Sequence, residues 1–474
     1  MTDTDVLILG GGLAGLTTAI GLRRSGLRVT IVERDRILGG RARSWIDPVT
    51  GDPVHIGPHI LLTEYPNFLS LLSLLGTRSK VVWQPRERFI TMVKGRRKIV
   101  MKQAPLPPPL PFVPSVFADP TIPSLDKVSN FPLTSLVMTM DEADFLRLDA
   151  LDARTFLEQQ GVTRNYIDKF WAFTSMSIMN VPLEVCSAGS LMRFYRRLIG
   201  HPGFKVGFPD GGLGDLFAPG SRSLIEKAGG KFVMETTVTE LLKHEGRVTG
   251  ARLSTGEEVR ARFVVSTLPP QDLARLVEWP ALSVFKPCPY VSPYLWFDRK
   301  LTRHQFWART YAKDDLNCDF YDFSNIYSRY PDRSFIGSNI IYSERAHALS
   351  DEEIVRRTLR ELSEFLPGTK SAKLLHWAVN RIPMAIHCPS PGTERARPTS
   401  SPVPGLLLAG DWIQTRLPSS MESAVFSGWR TAETILDAVG RPEKLAIEHE
   451  QPGGFFKLFQ RASRWVPRWA LSPV

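Results

Sequence analysis

Val6-Leu-Ile-Leu9-Gly10-Gly-Gly12-Leu-Ala-Gly15 runs four apolar residues straight into a glycine cluster. A short continuous apolar run that stops at glycine reads as a buried parallel strand. Helical spacing over Leu16 to Ser25 and a second run, Arg28-Val-Thr-Ile-Val-Glu33, complete a strand–helix–strand unit within 33 residues. Right-handed crossover makes its two strands parallel. In the spacing Gly10-x-Gly12-x-x-Gly15 the first glycine permits the tight turn and the second lets backbone approach a pyrophosphate. The third allows close helix–strand packing, and the helix N-terminus supplies free N–H groups and a positive dipole end. Glu33 ends the second strand, 18 residues after Gly15, where an acid accepts hydrogen bonds from ribose hydroxyls. Glycines alone would fit any flexible loop. Strand, helix, second strand and terminal acid together read as a dinucleotide site, with NADP the least fitting because Glu33 opposes a 2′-phosphate.

Working outward, two later blocks return to the same layer. Residues 231–268 carry strand patterns at Lys231-Phe-Val-Met, Thr237 to Leu242, Arg247 to Leu253 and Glu258 to Ser266. The last two flank a turn at Ser254-Thr-Gly-Glu257, a hairpin signature. Gly405-Leu-Leu-Leu-Ala-Gly-Asp411 is another buried strand, and a helical pattern runs from about Ser420 to Leu436. Between these blocks, residues 104–123 hold eight prolines and are expected to be irregular or extended, not helical. Residues 135–200 look helical and 281–345 look like strands with loops. The expected fold class is α/β: a Rossmann-type domain with a parallel sheet, discontinuous in sequence, beside a mixed α+β domain made of insertions. The expected division is 1–85, 205–275 and 385–442 for the first domain, 86–204 and 276–384 for the second, and 443–474 as a basic tail.

Composition bounds the function. The chain has 474 residues, 43% hydrophobic and 23% charged, which excludes a disordered or collagen-like chain. Lys and Arg exceed Asp and Glu by 11, which favours nucleic acid, an anionic membrane surface or an acidic cofactor as partner. Cys186, Cys288, Cys318 and Cys388 form no CxxC pair, so reduced structural thiols in a reducing compartment are expected. His55 and His59 lie four apart without an HExxH pattern, so no metal site is expected. No basic leader with an apolar core precedes the first strand, and no run of 18 apolar residues occurs. A cytoplasmic chain without a spanning helix is expected.

Leu38-Gly39-Gly40-Arg41-Ala-Arg43-Ser44 follows the second strand. Glycines before an arginine let backbone approach a phosphate or a flavin ring and leave a guanidinium for a charged or carbonyl group. Together, GGGLAGL and VERDRILGGRARS resemble flavoproteins of the amine-oxidase and phytoene-desaturase superfamily, which bind FAD with this motif pair. Leu408-Ala-Gly-Asp411-Trp and Thr415-x-Leu-Pro418-Ser-Ser-Met-Glu422 are similar to that family's last FAD motif, except that Ser423 stands where the family has glycine. Gly57-Pro-His59, Leu191-Met-Arg193-Phe194 and Phe208-Pro-Asp-Gly-Gly resemble the branch containing phytoene and ζ-carotene desaturases and hydroxysqualene dehydroxylase. The resemblance implies FAD held by Gly10, Gly12, Gly15, Glu33, Arg34, Gly39, Gly40, Arg41, Val238, Gly410, Asp411 and Met421. Asp411 would meet the ribityl and phosphate region, and the helix starting near Ser420 would aim its amides at the flavin's pyrimidine edge.

The resemblance further implies hydride exchange between flavin N5 and a long isoprenoid, as a desaturase or a dehydroxylase. The electron acceptor would be quinone or O₂. An isoprenoid needs a long apolar channel; candidate lining is the proline-rich stretch, Phe170, Phe173, Met176, Met179 and Tyr294-Leu-Trp-Phe297. Arg193 is a candidate polar anchor, and Glu422 and His59 are candidate proton donors. In the tail, Lys457, Arg461, Arg464 and Arg468 share one helix face, while Phe455, Phe459, Ala462, Trp465 or Val466, and Trp469 fall on another. Such a helix at 455–469 reads as an interfacial anchor on an anionic membrane. Of the net +11, residues 453–474 supply +4. Two other readings are weighed. An FAD-dependent amine oxidase would need an aromatic cage and a compact polar cavity. A nucleic-acid-binding protein would need basic residues interleaved with aromatics along a groove, and no such motif is present.

Overall fold

The four apolar residues before Gly10 form strand β1, Thr4–Leu9. The computed structural model describes residues 3–84, 89–92, 97–310, 312, 314–327, 329–450, 452–453 and 455–462. β1 pairs in parallel with β2, Val29–Val32. β2 pairs in turn with β3, Lys231–Val233, also in parallel. Strands β5, Arg247–Leu253, and β6, Glu258–Ser266, form the expected hairpin, and β4, Val238–His244, extends it into an antiparallel meander. The inner half of β6 lies parallel to β1 on one side and to the strand Leu406–Leu408 on the other. The sheet therefore draws on three separated stretches of chain, in the order β3-β2-β1-β6-β5-β4 with Leu406–Leu408 on β6.

The helices include α1, Leu13–Gly21; α2, Pro66–Leu74; α3, Ala188–Gly200; α4, Met421–Ala438; and α5, Phe455–Ala462. Val6 and Ile8 of β1 join α1 and α4 in one core, while Leu7 and Leu9 join Val264, Phe285 and Trp412 in another. All four β1 side chains are fully buried. Each contributes roughly 1.5–3 kcal/mol relative to exposure, which is why the run is continuous rather than alternating.

The second sheet is built on β7, Pro287–Phe297. Its neighbours, after β8 (Phe306–Arg309) and β9 (Asp319–Asp322), are β10 (Phe335–Asn339) and β11 (Leu374–His387), both antiparallel to β7. The order continues β10-β9-β8 and ends in the hairpin Phe89–Met92 with Lys98–Met101. Period-two alternation sorts its faces. Leu295 and Phe297 pack under the helix Asp351–Phe365, while Tyr294 and Trp296 join an aromatic layer in which Trp296 stacks on Phe335 at 4.3 Å. Residues 135–200 are largely helical as expected, and the layer begins a little earlier, with the helix Phe131–Thr139.

Two expectations change. The proline-rich segment is not free of helix: Val113–Ala118 forms a short one, with Pro114 in its first turn, where the missing N–H costs nothing. The tail helix is also oriented differently. Phe456, not assigned to the apolar face, is fully buried against Gly200 and the helical core, and Arg196 lies 6.0 Å over its ring. Phe455 and Leu458 remain exposed, and residues 463–474, with Arg464, Trp465, Val466, Arg468 and Trp469, lie outside the described residues. Among the described residues no helix is long and apolar enough to cross a membrane.

Candidate functional site

A single cavity of about 790 Å³ begins at the glycine motif and runs between the second sheet and the helical layer. Its first arm is built by β1, α1 and the turn after β2. Gly12 caps α1 with extended backbone and no side-chain hydrogen bond, so the first-turn amides have no partner from a cap. A Cβ on Gly12 would meet no protein atom closer than Gly40 Cα at 4.0 Å, although the residue lines the cavity. The space is reserved for something other than protein. Gly15 does the opposite job: a Cβ there would fall 2.1 Å from Gly10 O, so its lack of side chain lets α1 close on the strand. Gly15 therefore shapes the cradle from behind and is not on the cavity wall.

Glu33 sits at the rim, buried, with Oε2 accepting from Gly11 N at 2.7 Å and Oε1 from Asp35 N at 2.9 Å. Each oxygen keeps a lone pair for a ribose hydroxyl. Arg34 and Val238 line the same end, Arg34 held by Asp272 at 3.0 Å. Gly39, Gly40 and Arg41 form the next stretch of wall, and Gly410, Asp411 and Met421 face them from the last motif. Arg41 Nη2 and Asp411 Oδ1 are 2.6 Å apart. Burial works to raise the Asp411 carboxyl, but Arg41, with His387 and Arg397, outweighs it and holds the group below the usual range. These residues fit a dinucleotide whose diphosphate takes the uncapped amides of α1.

Ser423 buries its hydroxyl within 2.7 Å of Thr415 Oγ1 and 3.3 Å of Asp411 O, so the serine that replaces glycine ties the Asp411–Thr415 loop to α4. Ser420 caps α4 through Ser423 N at 3.2 Å.

The three catalytic candidates fare differently. Arg193 is not on the cavity wall. It is buried in an ion pair with Glu394, and its Nε donates to Glu142 Oε2 at 3.2 Å. Glu394 also holds Arg397 at 3.0 Å, and Arg397 donates to the carbonyls of Asp411, Ile413 and Leu417. Arg193 thus acts on the last motif through a buried relay, as a positioning residue. Burial works against the Glu394 charge, but Arg397 and Arg193 prevail and hold its carboxyl at about 2. Glu422 reaches the wall, yet its carboxylate accepts from Asn67 Nδ2 at 2.7 Å, Phe68 N at 2.9 Å and His449 Nε2 at 2.8 Å. It is the acceptor that fixes the start of α2, and that corrects the expectation of a free proton donor. His59 does line the cavity. Its Nδ1 donates to Gly57 O at 2.6 Å, and burial pushes it below the usual histidine range, so it is a neutral ring beside Arg41.

The second arm is apolar. Phe112, Val113, Val116, Phe117, Phe170 and Phe173 line it as expected. Met176, Met179, Tyr294 and Trp296 do not; they belong to the cores behind the wall. Where the arms meet, a polar group appears that sequence reasoning missed. Asp319 Oδ2 accepts from Tyr321 at 3.1 Å and Oδ1 from Asn339 N at 3.2 Å. Burial among aromatic rings pushes its carboxyl up to about 7, against the opposing pull of these hydrogen bonds. No signal marks Asp319 in the sequence, because it lies in the aromatic block that no motif covers.

The family model for flavin containing amine oxidoreductases matches residues 13–436. The chain is 27% identical to 15-cis-phytoene desaturase of Arabidopsis thaliana, covering 93% of this chain and 82% of that protein. It is 26% identical to 15-cis-phytoene desaturase of Synechococcus elongatus, covering 91% of this chain and 95% of the relative. A solved putrescine oxidase, 17% identical, superposes with a TM-score of 0.70 over 92% of this chain and 99% of that one, a likeness of fold.

Proposed function

This chain belongs to the flavin-containing amine oxidoreductase family, and from that membership we propose that it desaturates a long isoprenoid hydrocarbon of the phytoene or ζ-carotene type. It is an FAD-dependent oxidoreductase. The observation that carries the substrate class is the second arm: a channel whose wall includes Phe112, Val113, Val116, Phe117, Phe170 and Phe173 continues from the flavin cradle. FAD, when bound, would supply a hydride acceptor, and the protein would orient the substrate and exclude water. Gly12, Gly39, Gly40 and the amides of α1 would hold the diphosphate. Glu33 would hold the ribose, and Arg41 with Asp411 the region between phosphate and ring. Arg193, Glu394 and Arg397 keep the Asp411–Leu417 loop in place while the apolar wall sheds water from the substrate. Phytoene supplied in vesicles should be converted to a longer-wavelength polyene. Turnover of primary amines instead would support an amine oxidase, and loss of oxygen from hydroxysqualene under reducing conditions a dehydroxylase.

Delivery from a membrane surface belongs to the same reading. Phe117 and Phe131 line the far end of the cavity, stack at 6.0 Å and are exposed, and Leu125 and Val128 beside them are exposed too, Leu125 by 85%. α5 lies against the helix Phe131–Thr139 and carries exposed Phe455, Lys457, Leu458 and Arg461. An apolar rim with adjacent cations suits an anionic bilayer. Electrons would then pass to quinone or O₂. Sedimentation with phosphatidylglycerol vesicles tests the surface: binding that is unchanged by deleting 463–474 and by charging the rim would count against it.

A further inference from the structure

Asp319 lines the cavity, and the function proposed above leaves it unused. Asn339 ties it to the cradle: its N donates to Asp319 Oδ1 at 3.2 Å, and its Nδ2 donates to Pro58 O, also at 3.2 Å, next to His59. Asp319 is surrounded by protein, yet its side chain keeps surface that opens onto the cavity. No cation pairs with it among the described residues. The titratable groups in range are Tyr290 and Tyr294 from β7, Cys318 just before β9 and Tyr321 on it, all neutral. Arg345, the cation that reaches Cys318 Sγ at 3.9 Å, spends its other donors on the carbonyls of Asp315, Leu316, Ile341 and Tyr342. Tyr290 OH, on the same wall, has no hydrogen-bond partner among the described residues. Three neutral donors reach this carboxyl, Tyr321 OH, Asn339 N and, at 3.5 Å, Asn339 Nδ2, and with no cation beside it the group is poised to change protonation.

We propose that Asp319 is the base that takes the proton which desaturation releases from the isoprenoid. This rests on the desaturase reading. Removing hydride from one carbon leaves the substrate one proton in excess of the alkene. The C–H bond on the neighbouring carbon breaks, its electron pair becomes the second bond of the new alkene, and the proton passes to an Asp319 carboxylate oxygen. The carboxylic acid so formed returns the proton to water once product leaves. Burial that keeps the carboxyl near neutrality suits this exchange.

The test uses FAD-loaded protein with phytoene in phosphatidylglycerol vesicles. Without substrate, infrared titration of the wild type should show a carboxyl band that titrates near neutral pH and vanishes in Asp319→Asn. With phytoene under anaerobic conditions, the rate of flavin bleaching should rise through neutral pH in the wild type. In Asp319→Asn it should fall by about 100-fold or more and lose that pH step. Tyr321→Phe removes a hydrogen bond that favours the carboxylate, so its step should move to higher pH; an unmoved step overturns the assignment even if Asp319→Asn fails to fold. Wild-type bleaching with unimpaired Asp319→Asn overturns Asp319 alone. Wild-type protein that no isoprenoid bleaches overturns the desaturase reading and this assignment together.

Discussion

Gly12 and Gly15 stand three residues apart in one motif, yet alanine at the two positions should act in opposite directions. At Gly12 the backbone has φ −77°, which any residue adopts, and a Cβ would find no protein atom nearer than 4.0 Å. In cofactor-free protein Gly12→Ala should therefore be neutral, or stabilising by about 0.4–1 kcal/mol through loss of unfolded-state freedom. The same Cβ occupies the space through which backbone approaches the diphosphate. Overpacking of that kind costs about 1–3 kcal/mol, so FAD should bind roughly 5- to 150-fold more weakly. At Gly15 a Cβ would sit 2.1 Å from Gly10 O and 3.2 Å from Thr267 Oγ1. Backbone cannot swing aside as a side chain can, so α1 must lift from β1, and the cofactor-free fold should lose about 1–3 kcal/mol or more. Urea unfolding of cofactor-free protein reads the first quantity, and quenching of FAD fluorescence on titration reads the second. If Gly12→Ala binds FAD as the wild type does, the placement of the cofactor is wrong. If both variants destabilise the cofactor-free fold alike, the division of labour between the glycines is wrong.

Other outcomes follow from single interactions. Glu394→Gln leaves Arg193 and Arg397 buried without their carboxylate and should cost roughly 3–5 kcal/mol in chemical unfolding. Because Glu394 is held at about 2 in the fold, its stabilisation is complete above the unfolded value near 4.3. It is lost as pH falls toward 2, and the wild type should show that acid limb more steeply than the variant. Leu125→Asp with Val128→Asp, both at exposed positions, should leave melting unchanged and weaken binding to phosphatidylglycerol vesicles by about tenfold or more. The four cysteines are buried, and burial raises each thiol, Cys318 and Cys388 to about 11. A thiol reagent should label none of them at neutral pH until the protein unfolds.

The FAD half of the molecule was legible because its signals are local. Val6 to Leu9, the three glycines and Glu33 all fall within one strand–helix–strand unit of 33 residues, and Glu33 reaches Gly11 inside it. Leu406–Leu408 announced itself by the same apolar run into Gly410 and Asp411. The rest depends on pairings that span the chain. Arg193 reaches the last motif only through Glu394, 201 residues away. Glu422 is occupied by Asn67 and Phe68, about 355 residues distant. A helix-start glutamate looks free in sequence, whereas the fold spends it on another helix. Asp319 is the sharpest case, since its character comes from the tyrosines of two strands and from the cavity beside it. Phe456 shows the limit of helical-face arithmetic: the side that docks is the one that fits the core of the helical layer, not the one picked out by the mean polarity of the face.

The most direct measurement is an anaerobic single turnover of FAD-loaded protein with 15-cis-phytoene, following flavin absorbance and product together. One new double bond should form for each flavin bleached, while putrescine and simple primary amines leave the flavin oxidised. Bleaching by amines with phytoene inert would contradict the reading of the apolar arm as a hydrocarbon channel.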